Sequence, residues 1–133
     1  ISSLKDMAGK TIALQSGSSA QEAVDGNKEF SRTLKEQVLL KDNVTALNDL
    51  EIRGVDGVVM DSVVANYSIT ATGKPFTVID EALSYENYGI AFRKGNAALR
   101  DKVQSILEDM QRDGTVTAVS EKWFGRDISV IGK

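Results

Sequence analysis

Residues 11–23 read TIALQSGSSAQEA. Thr11 to Leu14 is a short apolar run of the kind a buried strand makes, and the turn Ala8-Gly9-Lys10 introduces it. Gln15 through Ser19 then set five small or amide-bearing polar residues in a row. A helix follows from about Ser19 and stops near the turn Asp25-Gly26-Asn27. A strand that passes through a polar knuckle into a helix is the opening of a βαβ unit, and the chain beyond it repeats the alternation.

Glu29 to Leu34 can add a short helical piece, and Gln37 to Leu40 reads as a second strand. Asp42 or Asn43 can cap a helix that carries Val44, Leu47 and Leu50 on one face and stops near Gly54. Val55 to Met60 is a buried strand ending at Asp61. Ser62 caps the next helix, with Val64, Tyr67 and Ala71 inward and Gly73 at its end. Beyond Pro75, Phe76 to Ile79 and Tyr88 to Phe92 read as two further strands. Asn96 caps the most regular helix, whose apolar stripe is Leu99, Val103, Ile106, Leu107 and Met110, with Gly114 just past its end. A last short helix closes in Lys122-Trp123-Phe124-Gly125. The predicted fold is α/β, a mostly parallel sheet flanked by helices, and the charged link Asp80 to Asn87 is its best boundary.

Composition narrows what such a fold can do. A chain of 133 residues, 41% hydrophobic with one proline, is large enough to bury a real core. A formal net charge of -3 with no basic cluster argues against nucleic acid as the main partner. There is no cysteine and no histidine, which removes disulfides, thiol catalysis, histidine-centred triads and thiolate or imidazole metal sites together. Carboxylate metal sites survive that exclusion, but no DxDxDG-type loop is present. No stretch approaches the run of about 18 apolar residues that a membrane-spanning helix needs. Neither a signal peptide nor a lipid-attachment cysteine is present, as holds equally for a processed or truncated chain.

Two strand ends carry polar groups: Gln15-Ser16-Gly17-Ser18-Ser19 after the first, and Asp61 after the third. In a parallel sheet both lie on the carboxyl edge, where open α/β folds bind ligands. A Gly-Ser-Ser loop feeding a helix offers backbone N–H groups, hydroxyls and the positive end of the helix dipole to a carboxylate or phosphate. Asp61 offers the opposite sign, an acceptor for an ammonium group. Together they can detect a zwitterion. The same residues also read as helix caps, Ser18 or Ser19 for one helix and Asp61 for the next, as most Ser-rich strand–helix turns are. The loop is neither a P-loop nor GxGxxG. Trp123-Phe124 reads as a buried helix-end anchor, Tyr67 as core, Arg93-Lys94 as a solvated loop and Asp80-Glu81 as a solvated turn.

The stretches LKDMAGKTIALQSGSSAQEA, GVDGVVMDSVVANYSI and ENYGIAFRKGNAALRDKVQSILEDMQRDGTVTAVSEKWFGRD span nearly the whole chain. They resemble the bacterial amino-acid-binding proteins of ABC importers, the polar amino acid group of the extracellular solute-binding proteins. The most specific is the last, where YGIAFRKGN, an amphipathic helix, DGT and KWFG follow at the family's spacing. The resemblance implies one lobe of a two-lobed periplasmic-binding-protein fold. Residues 1–86 would form the second lobe, and residues 87–133 would supply the hinge return strand and the helices that complete a first lobe absent from this chain. A truncated or proteolysed product is the expectation, with the stripe from Leu99 to Met110 lacking part of its partner surface and an ordered, possibly swapped oligomer as one outcome.

The resemblance further implies that Ser18 and Ser19 meet a ligand carboxylate, with serine a mild departure from the threonine of many relatives. It implies that Gln15 contacts the ligand side chain or lines the pocket. Asp61 would take the α-ammonium group, and Met60 would sit where relatives vary with specificity. No cofactor is implied. The implied function is non-enzymatic capture of a polar L-amino acid, glutamine-, arginine- or histidine-like, in the periplasm or outside the cell, possibly from a lipid-anchored position. Delivery would be to ABC permease subunits. Two rivals stand beside it. One is the ligand-binding sensor domain of a receptor or kinase; the other is a dehydratase, for which this chain offers only Asp61 as an acid or base.

Overall fold

The computed structural model describes residues 1–132, and it divides into two compact units, Ile1–Tyr85 and the residues from Glu86 onward. In the first unit the short 3-10 helix Leu4–Met7 leads into β1 (Thr11–Gln15), followed by α1 (Ser19–Gly26), α2 (Lys28–Ser31), β2 (Glu36–Leu40), α3 (Asn43–Glu51), β3 (Gly57–Val59) and α4 (Ser62–Thr72). The three strands are parallel in the order β2-β1-β3. Thr11 pairs with Glu36 and Gln15 with Leu40 on one side of β1, while Ile12 to Leu14 pair with Gly57 to Val59 on the other. β1 is therefore central and nearly all apolar, as a strand covered on both faces must be.

Alternation along the strands sorts the core into two layers. Ile12 and Leu14 pack with Met7, Val24 of α1 and Phe30 of α2, joined by Leu4, Leu34, Val59 and Leu83. Ala13 points the other way, against Ala46 of α3 and Val55, joined by Val38, Leu40, Leu50 and Val58. The β1–β2 crossover thus covers one face and the β2–β3 crossover the opposite one. The chain moves outward from the centre in one direction and then returns past β1 in the other. The sheet consequently has a topological switch point between β1 and β3.

Helix ends follow the sequence closely. Ser18, Asn27, Asp42 and Asp61 each accept a backbone N–H from the first turn of the helix they precede. Asp42 carries α3: Thr45 donates to its Oδ1 from the main chain at 2.7 Å and from the hydroxyl at 2.8 Å. Those bonds, the backbone one foremost, hold its carboxyl below the usual carboxylate pKa. Asp42 therefore supports α3 above the ordinary carboxylate range, and that support is lost as the pH falls through its lowered value. Denaturation of Asp42→Ala and the native protein at pH 7 and pH 3 checks the sign: the difference between them shrinks at the lower pH. α4 ends on Gly73, whose left-handed φ of 64° forms its C-cap.

Between α3 and β3 the exposed Arg53 adopts φ 62°, a left-handed conformation that costs a residue with a Cβ. Arg53→Gly relieves it and should stabilise the first unit by up to about 1 kcal/mol in denaturant titration, net of the entropy glycine adds to the unfolded chain.

Several expectations are corrected. Phe76 to Ile79 and Tyr88 to Phe92 form no ladder; among the described residues the sheet has the three strands above. Both segments are extended in sequence character, but a strand exists only through hydrogen bonds to a neighbour. The third strand, Gly57–Val59, is shorter than the run Val55 to Met60, whose first residue is buried ahead of the ladder without joining it. Asp61, not Ser62, caps α4. Val44 is 68% exposed and Tyr67 53%, so neither is core. Tyr67 and Ala71 of α4 instead line a shallow groove of about 150 Å³ with Leu47 and Phe76.

The second unit is a helical pair, α5 (Ala97–Arg112) and α6 (Thr115–Phe124), joined through Gly114 in the left-handed region. Asn96 precedes α5 without a side-chain cap bond. No residue of α5 is buried, and Leu99 and Ile106 of its stripe are about half exposed. Trp123 is 52% exposed, with the Lys122 ammonium 5.6 Å from its ring centroid, so it is not the buried anchor expected. Among the described residues of this unit the one buried is the hydroxyl-bearing Ser120, which donates to the Arg126 carbonyl at 3.0 Å and accepts from the Ile128 N–H at 2.9 Å. The chain after α6 is held back by Ser120 together with a Thr117 bond to Asp127 at 3.1 Å and a Ser129 bond to Gln111 at 2.9 Å.

Candidate functional site

The switch point gathers the polar residues singled out above. Gln15 ends β1 and the knuckle to Ser19 follows it. Met60 and Asp61 follow β3, the neighbouring strand. Leu14 and Val59 form the last pair of that ladder, and Gln15 and Met60 are the next residues along the two segments. Two loops that are far apart in sequence thus leave the same sheet edge side by side, one entering α1 and the other α4.

The knuckle is closed on itself. Ser16 donates its N–H to the Leu40 carbonyl at 2.8 Å, continuing the ladder one residue past β1. Gly17 takes a left-handed φ of 70°, and its N–H donates to Gln21 Oε1 at 2.8 Å. The Ser18 hydroxyl donates to the Gln15 carbonyl at 2.7 Å and accepts from the Gln21 N–H at 3.3 Å. Ser19 is exposed at the first position of α1. Gln15 is half-buried, its Nε2 donating to the Lys41 carbonyl at 3.3 Å.

Gln21 was not singled out from sequence, yet its side chain and main chain both tie the knuckle together. Its place three residues after Ser18 is the capping-box spacing, which could have revealed it, although its amide reaches one residue further back than the usual N-cap N–H. The knuckle depends on Gly17. Gly17→Ala should cost about 1–2 kcal/mol by left-handed strain alone, since no other atom crowds the position. Chemical denaturation measures that loss.

Asp61 is half-buried and splits its carboxylate between two tasks. Oδ1 accepts from Val63 at 2.8 Å and Val64 at 3.0 Å, capping α4. Oδ2 accepts no hydrogen bond from any described residue. Met60 is half-buried beside it. The cap readings of Ser18 and Asp61 are realised, and for Asp61 the cap uses only one oxygen. Among the described residues no group of carboxylates could hold a metal ion.

A switch-point edge with hydroxyl and amide groups on one loop and a carboxylate on the next is the place where open α/β units bind small molecules. The chain belongs to the bacterial extracellular solute-binding proteins, family 3, whose model matches residues 5–126. It is 31% identical over 135 residues to the probable amino-acid-binding protein YxeM of Bacillus subtilis, covering 98% of this chain and 49% of that protein. It is 38% identical over 88 residues to the L-cystine-binding protein TcyJ of Escherichia coli, covering 66% and 33% respectively. Among solved structures, an ancestral arginine-binding protein bound to arginine superposes with a TM-score of 0.69 at 34% identity, over 94% of this chain and 55% of that one. The chain spans about half the length of most relatives it matches, and a third of TcyJ. The family is one of solute-binding proteins rather than enzymes, and the chain as a whole corresponds to about half of such a structure.

Proposed function

We propose that this chain supplies one half of a binding site for a polar L-amino acid in a protein that works in the periplasm or outside the cell. The protein would hand its ligand to ABC permease subunits. The observation that carries the reading is the pairing, on one sheet edge, of the Gln15–Ser19 knuckle with the uncommitted Oδ2 of Asp61. In this reading Asp61 holds the α-ammonium group. Ser18 and Ser19 meet the carboxylate, with the Ser18 hydroxyl turning from the Gln15 carbonyl to do so, while the α1 dipole adds positive potential. Gln15 and Met60 line the side-chain end.

Relatives named for arginine or cystine binding support the ligand class. Residues 1–86 would act as one lobe and residues 87–133 as part of the other. Closure of the two over the ligand would bury the zwitterion, and no bond would be made or broken. Calorimetric titration of the full-length protein with the twenty amino acids tests this. Saturable binding of one or more polar amino acids is the expected outcome, and no binding of any α-amino acid would refute it.

A further inference from the structure

Between the end of α4 at Thr72 and the start of α5 at Ala97 the chain enters no helix and no strand. The last part of the first unit, up to Tyr85, is therefore held in place by side chains rather than by a ladder. At its start Lys74 Nζ lies 2.6 Å from Glu51 Oε2 and 3.2 Å from Asn48 Oδ1. Near its end Glu81 Oε2 accepts the Leu4 N–H at 2.8 Å, a bond between residues 77 apart. Leu83, two residues on, packs in the same core layer as Leu4 and Met7.

Glu81 grips a segment that is itself fixed. Asp6 Oδ2 accepts the Ser2 N–H at 2.8 Å, the Ser3 N–H at 3.0 Å and the Ser2 hydroxyl at 3.1 Å. Three successive N–H groups, Ser2 to Leu4, thus end on two carboxylates, and the first residues of the unit are tied to its last. The Glu81 bond is exposed, where water competes for both partners, so it adds little to the stability of the unit. What it fixes is where the chain can bend. With Glu81 bonded and Leu83 packed, bending at this end of the unit is confined to the residues after Leu83. Without the bond, the loosely held stretch reaches back to Lys74.

We propose that Glu81 is a latch for lobe closure: a positioning residue that never touches the ligand yet sets its affinity, by ordering residues 75–85 before the ligand arrives. The latch rests on the reading just given, in which residues 1–86 and 87–133 belong to lobes that close on each other. In the latched protein, closing orders only the pivot. Unlatched, residues 75–85 keep their freedom in the open form and lose it when the lobes close, and that entropy is subtracted from the binding free energy. The binding groups on the sheet edge are untouched, so every ligand is weakened alike.

The full-length protein and its Glu81→Ala and Glu81→Gln variants are compared by calorimetric titration with the twenty amino acids, by thermal melting, and by chymotryptic cleavage after Leu83. Glu81→Ala should bind the amino acid that the native protein binds most tightly about threefold or more weakly, the scale on which a residue outside the site alters coupling. The ranking of amino acids should stay the same, and the melting temperature should stay within about 3 °C of the native one. Ligand-free Glu81→Ala should be cut after Leu83 about threefold faster than the native protein, a difference that disappears when both are saturated with that amino acid. Glu81→Gln, whose Oε1 can accept the same N–H, should restore native affinity and native cleavage. Native affinity in Glu81→Ala, unchanged cleavage of its ligand-free form, or a Glu81→Gln variant as weak as Glu81→Ala overturns the latch and leaves the half-site standing. Failure of the native protein to bind any of the twenty overturns the half-site reading and the latch with it.

Discussion

With Asp61 holding the ammonium group as proposed, Asp61→Ala should lower the affinity of the full-length protein for its ligand by about thirtyfold or more, because truncating one partner of a buried charge pair costs some 2–5 kcal/mol. The same change removes the cap of α4, where Oδ1 holds the Val63 and Val64 N–H groups, at a further cost to stability of about 1 kcal/mol. The two effects separate in Asp61→Asn. Asparagine caps as well as aspartate, so melting temperature holds while the negative charge is gone. Calorimetry on both variants, beside thermal melting, distinguishes the roles. Asp61→Asn with native affinity would show that Asp61 is only a cap.

The largest loss of stability is expected from Leu14→Ala. Leu14 has no exposed surface and lies in the middle strand, between Val24 and Phe30 on its own face and paired with Leu39 and Val59 along the ladder. Among the described residues, Ile12, Leu14 and Val24 are the largest side chains so completely buried. A Leu→Ala change in such a site leaves a cavity that the surrounding strands cannot close, and costs about 3–5 kcal/mol. That is comparable to the whole stability of a small unit. Urea denaturation followed through far-UV circular dichroism should show the first unit unfolded or nearly so without denaturant. A drop under about 1 kcal/mol would mean that the central strand is not packed as described.

β1 was legible because everything it needs lies within a few residues: the apolar run, the polar knuckle and the capping serine. The helix starts at Ser18 and Asp42 were legible for the same local reason. What Phe76 to Ile79 and Tyr88 to Phe92 lacked was a partner, and a partner is never written in the segment itself. Side-chain burial on α3 and α4 failed similarly. Val44 and Tyr67 have the right spacing for an inward stripe, yet exposure depends on what stands opposite, here a shallow groove and solvent. For the candidate site, the pairing of the knuckle with Asp61 was foreseen from strand ends. The division of Asp61 between cap and open oxygen, and the Gln21 tie, required atomic positions.

Ala13 and Ala46 meet with no exposed surface on the α3 side of the sheet, where two methyl groups set the distance between helix and strand. A larger residue at either place pushes α3 away from β1 unless the other shrinks. The two positions are thus a closed account of volume. Over evolutionary time they should change together or not at all, whereas the opposite layer, with the pliable Met7 among its members, is free to trade its side chains one at a time.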